Sequence, residues 1–475
     1  MANYYTRRQY ILQILLYYIC INSPLVTSIV NSSFPSLLLE CFKLVEEELD
    51  SIKQSIEKSK ILNNNPNNPT SGNSINSIHS LETIKSINYR RDSLFKEYQL
   101  LGELLSGYVL NHSLKLQDFQ NFLSHFSSFQ PDDIFILAYM PSMFQYLSSL
   151  TTLPENDVKA IHKQFMTDLQ QPDKLAETPI KALLILVFLT NFIDWCKVDD
   201  STSTTNRTKQ YEFTKNVDEP MRQTFNLGSM EQFLSICADT SLMGTGELFY
   251  NFRPFLQQHI PKFVATRLLD IDDVATSELK RALQQQQQQN RLNGTATANT
   301  PSQVDKIYVS NFKFSLDDQF IDFCAPIFSN FVHSFITNSA FILTYLRDME
   351  EDLLLSGEDF DFDLGNLSEN AELERFYVAM FYLYSSREQL ASEFWSDTNS
   401  TSYGFLQWAS RCNSPLIIST FCLTLSALAT GSTNAIHTFN FLQITNAMSE
   451  NNSNTTSTSN NKSLINKYSS VIPLH

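Results

Sequence analysis

The feature that most constrains this chain is the spacing of its apolar residues, which recur every three or four positions between polar inserts. That period places side chains along one stripe of an α-helix, whereas a half-buried β-strand alternates every second residue. Three segments show the stripe: Leu38, Phe42, Val45, Leu49, Ile52 and Ile56; Leu94, Tyr98, Leu101, Leu105 and Val109; and Phe320, Phe323, Ile327, Phe331 and Phe335. The pattern predicts amphipathic helices that pack against one another.

Glycine is scarce and proline is placed at regular breaks, which together favour a helical array. Only 11 of 475 residues are glycine, well below the usual roughly 7%, whereas phosphate loops and β-turns use glycine freely. Pro131, Pro154, Pro172 and Pro179 each read as the end of one helix and the start of the next. We therefore predict an all-α fold, an irregular α-solenoid of antiparallel helix pairs without a fixed repeat.

Low-complexity inserts divide this helical sequence. Tracts rich in Asn, Ser or Gln bury too little apolar surface to fold, and surface loops accept them at small entropic cost. The predicted divisions are N-terminal solenoid helices over 1–62, a disordered Asn/Ser-rich insert over 63–80, a helical solenoid over 81–283 with a polar loop near 200–210, a Gln-rich linker over 284–303, a second solenoid segment over 304–447 and a disordered tail over 448–475. The acidic stretch Asp348–Asp363 is predicted to be a charged loop.

Charge and cysteine usage narrow the functional classes. The formal net charge is −16, from 50 acidic and 34 basic side chains, so the surface repels phosphate backbones and nucleic-acid binding is disfavoured. The seven cysteines are far apart and have neither CxxC nor zinc-finger spacing. They are interpreted as reduced, buried cysteines of a cytosolic or nuclear protein.

Two apolar stretches resemble membrane segments. Tyr10–Ile21 follows Arg7 and Arg8, as the core of a signal peptide would, but it is too short to span a bilayer. Ile180–Cys196 is longer but carries two charged side chains. Both are interpreted as buried helices, and no direct membrane span is predicted.

The sequence contains no recognisable set of catalytic, cofactor-binding or metal-binding residues. None of the eight histidines belongs to an HExxH motif or a similar ligand pair. The GxG fragment at Gly244–Gly246 lacks a third glycine and a preceding strand, so a turn between helices explains it. The acidic stretch fails the offsets of an EF-hand. We therefore predict no enzyme, no cofactor and no small-molecule substrate.

One segment, Glu393–Arg411, combines aromatic residues with turn residues in an unusual way. Its notable members, predicted to form a packed corner between helices, are Trp395, Tyr403, Gly404, Phe405, Trp408 and Arg411. Trp395 is expected to end a helix, with Ser396 and Asp397 capping the next one. Gly404 is expected to permit a backbone turn, and Trp395 and Trp408 to be buried packing anchors, with Trp408 against the next helix. A packing corner is favoured over a ligand site.

The same segment resembles a signature of the largest α-helical nucleoporins of the nuclear pore inner ring. The matching runs are Phe394–Asp397 and Tyr403–Arg411, and Arg7–Tyr10, Leu38–Cys41 and Phe331–Leu355 agree in order, with the best match over about residues 304–445. The resemblance implies a scaffold that binds other inner-ring nucleoporins at the nuclear envelope and supports pore assembly and nucleocytoplasmic transport. It implies no catalytic residues.

Members of that family are several times longer than this chain, so the resemblance also implies a fragment, a truncated gene model or one piece of a split gene. An alternative function is a soluble helical-repeat transport receptor or protein-binding adaptor, whose concave face would bind cargo or peptide motifs. A scaffold should reside stably at the nuclear rim, whereas a receptor should exchange.

Overall fold

The protein is described from a computed structural model, which covers residues 2–21, 33–63, 74–111, 114–129, 135–197, 217–240, 316–356, 372–397, 399–412 and 414–453. Within these ranges the chain forms seventeen α-helices and one 3-10 turn, Leu150–Thr152. The helices are α1 Ala2–Cys20, α2 Phe34–Asn63, α3 Ser74–Asn111, α4 Leu116–Phe126, α5 Ile136–Ser148, α6 Glu155–Leu169, α7 Pro172–Ala176, α8 Pro179–Lys197, α9 Asp218–Asn226, α10 Ser229–Asp239, α11 Asp318–Asn338, α12 Ala340–Ser356, α13 Glu372–Tyr384, α14 Glu388–Trp395, α15 Thr401–Ala409, α16 Pro415–Leu428 and α17 Ser432–Ser453. No β-strand occurs in the described ranges.

The all-α class predicted from the apolar spacing is confirmed for the described residues. In α2 the stripe from Leu38 to Ile52 is buried, and in α3 so is the stripe from Leu94 to Leu105. Phe320, Phe331 and Phe335 of α11 are likewise buried. The arrangement of these helices as a solenoid remains a prediction.

Three of the four proline breaks are confirmed. Pro154 immediately precedes α6, while Pro172 and Pro179 are the first residues of α7 and α8. Proline suits the first helical turn because its fixed φ fits the helix and its missing N–H has no partner there. Pro131 lies outside the described residues.

The predicted inserts are partly helical at their edges. α3 begins at Ser74, so residues 74–80 of the predicted insert 63–80 are helical. Likewise, α17 continues to Ser453 into the predicted tail 448–475, and α12 includes residues 348–356 of the predicted acidic loop. Extending an existing helix is far easier than starting one, so polar residues next to an apolar stripe join it. The polar loop at 200–210 and the linker at 284–303 lie outside the described residues.

The first of two compact units comprises the described residues within Met1–Gln232 and Phe252–Phe331. In it, α3 packs against α1, α2 and α5, and α5 packs in turn against α8. At the crossing of α3 and α5, a Cβ added to Gly102 would lie 2.6 Å from the carbonyl oxygen of Ala138. The two backbones therefore approach so closely that a side chain at this position would collide with the neighbouring helix.

The second unit comprises the described residues within Phe233–Asn251 and Val332–His475. Its centre is the pair α13 and α16, around which α12, α14, α15 and α17 pack. All 13 residues of α13 are buried, including Tyr377 and Tyr384. This unit contains the predicted aromatic corner.

The two apolar stretches differ in burial. Within the described residues, the helices Pro179–Cys196 and Asp318–Asn338 are long and apolar enough to cross a membrane, but 78% and 61% of them are buried inside the protein, so they are weak evidence for a span. Tyr10–Ile21 lies mostly in α1, and the expectation that this helix is buried is wrong for one face, where Tyr10 and Ile14 are exposed. Hydropathy alone does not distinguish a buried face from an apolar face left in solvent.

All seven cysteines are free. The expected burial is confirmed for Cys196, Cys237, Cys324 and Cys412, whereas Cys41 is half-buried and Cys20 and Cys422 are exposed.

Candidate functional site

The aromatic corner is built where α14, α15, α16 and α17 meet. α14 ends at Trp395, as predicted. The cap of α15 differs from the prediction, because Ser400 rather than Ser396 or Asp397 accepts a hydrogen bond from Tyr403 N, at 3.1 Å. Asp397 instead shapes the preceding turn, where its carboxylate accepts a bond from Asn399 N at 2.8 Å. The additional turn delays the start of α15 to Thr401.

Trp395 is the buried anchor of this corner, with only 4% of its surface exposed. Its indole Nε1 donates a hydrogen bond to the carbonyl oxygen of Leu428 at 2.9 Å. The ring contacts Tyr403 and Phe441, with centroid separations of 6.1 and 5.8 Å, and lies parallel to His437 at 6.5 Å. Trp395 therefore joins α14 to α15, α16 and α17.

Phe405 extends the corner toward α13. Its ring stacks on Tyr377 with a centroid separation of 5.5 Å and meets Phe376 edge-on at 6.0 Å. Phe405 and Tyr403 are both buried and lie on α15. The corner thus anchors α15 through two aromatic side chains that point to different neighbours.

Gly404 does not form the predicted turn. It lies inside α15, between Tyr403 and Phe405, and its backbone amide donates to Ser400 O at 3.1 Å. A Cβ added to Gly404 would meet nothing within 4 Å. Because neither the backbone conformation nor the space requires glycine here, the expectation of a turn was wrong.

Trp408 is half-buried, so the expectation that it is a fully buried anchor was also wrong. One side of its ring stacks on Phe405 at 5.5 Å, and the guanidinium of Arg347 lies 5.3 Å from the ring centroid. Arg347 is also held by Asp348, with Nη2 to Oδ1 at 2.8 Å. Arg411 is exposed. The outer edge of the corner therefore combines an aromatic ring with charged groups in contact with solvent.

His333 of α11 belongs to the same region but was not assigned to it from the sequence. Its Nδ1 lies 2.7 Å from Ser402 Oγ, and its ring lies 5.3 Å from that of Phe394. Burial lowers the pKa of His333 below its ordinary value of 6.5. Within the described residues, no carboxylate contacts His333 in the position of the acid that orients a catalytic histidine. The bond fixes α15 against α11.

Two further anchors were missed because their partners are far away in sequence. Arg387, which is buried, donates to Leu383 O at 2.7 Å and to Thr240 O at 2.5 Å. Asn434, also buried, donates to Glu388 O at 3.0 Å and to Thr430 O at 2.8 Å. No motif marks either residue, since each acts by donating to backbone carbonyls of segments that are distant in the sequence.

A buried polar cluster in the first unit was also missed. Glu46 of α2 accepts hydrogen bonds from Tyr98 of α3 at 2.7 Å and from Tyr139 of α5 at 2.8 Å. His125 Nε2 of α4 lies 2.9 Å from the other carboxylate oxygen. Burial raises the pKa of Glu46, but the hydrogen bonds from His125, Tyr98 and Tyr139 outweigh it and hold the pKa below its ordinary value. Four helices are thus joined by one carboxylate.

The contacts described for these residues hold helices together. Among the described residues, no group of three or more His, Cys, Asp or Glu side chains could hold a metal ion. The titratable groups with shifted pKa values named above take part in contacts between helices, and their polar atoms are directed at other protein groups.

Comparisons with known proteins give this architecture its family. A sequence profile described as "Nuclear pore complex scaffold, nucleoporins 186/192/205" matches residues 1–474. Nucleoporin NUP192 of Chaetomium thermophilum is 22% identical over 372 residues, which cover 75% of this chain and 18% of that relative. Nucleoporin nup186 of Schizosaccharomyces pombe is 32% identical over 108 residues, 22% of this chain and 7% of the relative. The aligned region thus spans less than a fifth of either relative. Because the family profile matches nearly the whole sequence, the chain belongs to the nucleoporin 186/192/205 family of nuclear pore complex scaffold proteins.

Proposed function

We propose that this chain is a structural scaffold component of the inner ring of the nuclear pore complex, where it supports pore assembly and nucleocytoplasmic transport. The observation that carries the proposal is the family match over residues 1–474. The proposed partners are other inner-ring nucleoporins, bound through protein–protein contacts. We further propose that the chain has no enzymatic role and no membrane span of its own, and that it binds no cofactor, small-molecule substrate or nucleic acid.

The packing of the second unit supports this role. A scaffold must keep its shape, and the corner joins five helices, α13 to α17, through the rings and hydrogen bonds of Trp395, Tyr403 and Phe405. Buried aromatic side chains of this kind contribute the largest single packing energies in protein cores. The net charge of −16 also argues against a nucleic-acid partner.

Live imaging tests the proposal. The chain, tagged at its own locus and expressed at its native level, should give a continuous nuclear rim whose fluorescence recovers slowly after bleaching. A diffusing transport receptor imaged in the same cells supplies the reference for fast exchange. Rapid recovery throughout the nucleus would reject the scaffold and favour the alternative, a soluble transport receptor or adaptor.

A further inference from the structure

The helix α1 is apolar on two opposite faces, but only one of them is packed against the described protein. Tyr5 and Ile19 are buried on the face that contacts α3. The contact is close, since a Cβ added to Gly107 of α3 would lie 3.5 Å from the Leu16 side chain. Among the described residues of the first unit, packing therefore accounts for the inner face of α1 alone.

The outer face carries a regular apolar seam. Four apolar residues on this face are between 52% and 62% exposed: Tyr10, Ile14, Tyr17 and Ile21. A single exposed apolar residue needs no explanation, whereas these four form a row. Their spacings of four, three and four residues match the a and d positions of a heptad. Such spacing keeps a stripe in register with a second helix along its length, which a random scatter of apolar residues would not do.

The charge at the start of the seam indicates what the second helix carries. Arg7 is exposed and lies three residues before Tyr10, on the same stripe. Its neighbour Arg8 instead turns inward to Glu97, with Nη2 to Oε1 at 2.6 Å. The sequence of α1 contains no acidic residue, although the whole chain has a net charge of −16. A partner helix therefore has a cation to meet at the N-terminal end of the seam.

We propose that the outer face of α1, defined as Arg7, Tyr10, Ile14, Tyr17 and Ile21, docks an amphipathic helix of another protein. That helix has an apolar stripe of matching heptad spacing and a carboxylate placed against Arg7. Recognition of this kind combines burial of the stripe with a charge that fixes register. The inference rests on the proposed scaffold function and specifies the kind of partner that the scaffold holds.

Two other occupants fit the face less well. In a parallel pair with a second copy, Arg7 would face Arg7, and in an antiparallel pair it would find no carboxylate because α1 has none. A lipid surface attracts helices with several basic residues flanking the apolar face, whereas this face offers one exposed arginine. The helix partner satisfies both the seam and the charge.

Binding of designed peptides to the full chain tests the proposal. Two synthetic helical peptides of about three heptads carry Leu at every a and d position. They differ only at one end of the stripe, where one peptide has Glu and the other has Lys. Each peptide can bind parallel or antiparallel to α1, and one of these orientations places the Glu or Lys against Arg7. In fluorescence anisotropy the Glu peptide should bind at least about fivefold more tightly than the Lys peptide. Arg7→Glu should reverse that order.

Control variants distinguish binding of the peptides at the seam from nonspecific apolar binding. The double variant Ile14→Asp, Tyr17→Asp should abolish binding of both peptides, while Phe341→Asp should leave it unchanged, because Phe341 is 82% exposed but lies on α12, in the other unit. Circular dichroism checks that each variant folds, and the Arg7→Glu comparison remains decisive if the double variant does not. Equal binding of the two peptides would overturn the proposal.

The alternative occupants have their own readouts. Self-association of the wild-type chain in light scattering, or binding to anionic vesicles, would overturn the proposal if the double variant removed it. In cells, absence of the wild-type chain from the nuclear rim would reject the proposed function itself. A chain that stays at the rim, combined with peptides that fail to discriminate at Arg7, would reject only the docking helix.

Discussion

The indole nitrogen of Trp395 donates a hydrogen bond to the carbonyl oxygen of Leu428, the last residue of α16, at 2.9 Å. The last four carbonyls of a helix have no partner within it, so Trp395 satisfies a group that would otherwise be buried and unpaired. Trp395 is thus both the last residue of α14 and the hydrogen-bond donor to the last carbonyl of α16.

Trp395→Ala should be among the most destabilising substitutions in the second unit. The loss of a buried indole and its hydrogen bond should lower the free energy of unfolding by about 3–5 kcal/mol. Trp395→Phe retains most of the packing and should cost about 1–2 kcal/mol, mainly from the unpaired carbonyl. Urea denaturation followed by far-UV circular dichroism measures both changes.

Trp408→Ala is the matched comparison. Because Trp408 is half-buried, its substitution removes one ring stack and one contact with Arg347, and we expect a cost of about 1 kcal/mol. A sequence-based expectation would have assigned the larger cost of roughly 3–5 kcal/mol to this residue. If Trp408→Ala proved as destabilising as Trp395→Ala, the burial described for the corner would be wrong.

Two helical glycines should respond in opposite ways to the same substitution. In Gly102→Ala the new methyl group would collide with the backbone of Ala138, which cannot move aside as a flexible side chain can. We expect a loss of about 1–3 kcal/mol. Gly404→Ala enters open space within a helix and should stabilise the protein by about 0.5–1 kcal/mol. Thermal unfolding of the two variants gives the sign of each effect.

Glu46 should be more important than its single charge suggests. Glu46→Ala leaves the hydroxyls of Tyr98 and Tyr139 without their carboxylate partner in the core, at an expected cost of about 3–5 kcal/mol. Glu46→Gln keeps the shape and one acceptor oxygen, so its cost should be smaller. The difference between the two variants in urea denaturation measures the buried carboxylate.

The same carboxylate should make stability depend on pH in acid. The folded-state pKa of Glu46 is lower than its ordinary value of 4.5, so the unfolded chain binds the proton more readily. The contribution of Glu46 is therefore fully present above about pH 4.5 and disappears as the pH falls through the folded-state pKa. The stability gap between the wild-type chain and Glu46→Gln should shrink over that range, and a constant gap would contradict the assignment.

His333 should give a second pH dependence nearer to neutrality. Burial holds its folded-state pKa below 6.5, so the unfolded chain again binds the proton more readily. Stability should be fully retained above about pH 6.5 and fall as the pH drops toward the folded-state pKa. His333→Gln should remove this step, and the imidazole resonance of the wild-type protein in NMR should titrate below 6.5.

The spacing of apolar residues predicted the helices well because burial of one face is a local property of the sequence. Leu38 and Phe42 both point to the core because residues four positions apart lie on the same face of a helix. Trp395 ends its helix as expected, since Asp397 and Asn399 favour a turn directly after it.

The contacts between helices that are far apart in the sequence could not be predicted from the spacing of apolar residues. Glu46 meets Tyr139 across 93 residues, and no spacing rule relates them. Gly404 shows the converse error, because glycine permits a turn without requiring one, and the apolar neighbours Tyr403 and Phe405 favoured a continuous helix. In the same way, the apolar composition of α1 predicted burial but did not show which side had a neighbour to pack against.

The hydrogen bonds at Thr240 and Asp317 hold both ends of the long segment between them in the chain. Thr240 O accepts from Arg387, while Asp317 is held by Gln99 and Lys96. For a linker such as the sequence predicts over 284–303, doubling the length costs only about 0.6 kcal/mol in closure entropy. Insertions and deletions in the Gln-rich tract 284–289 should therefore accumulate over evolution with little selection against them, while Arg387 and Gln99 stay constant.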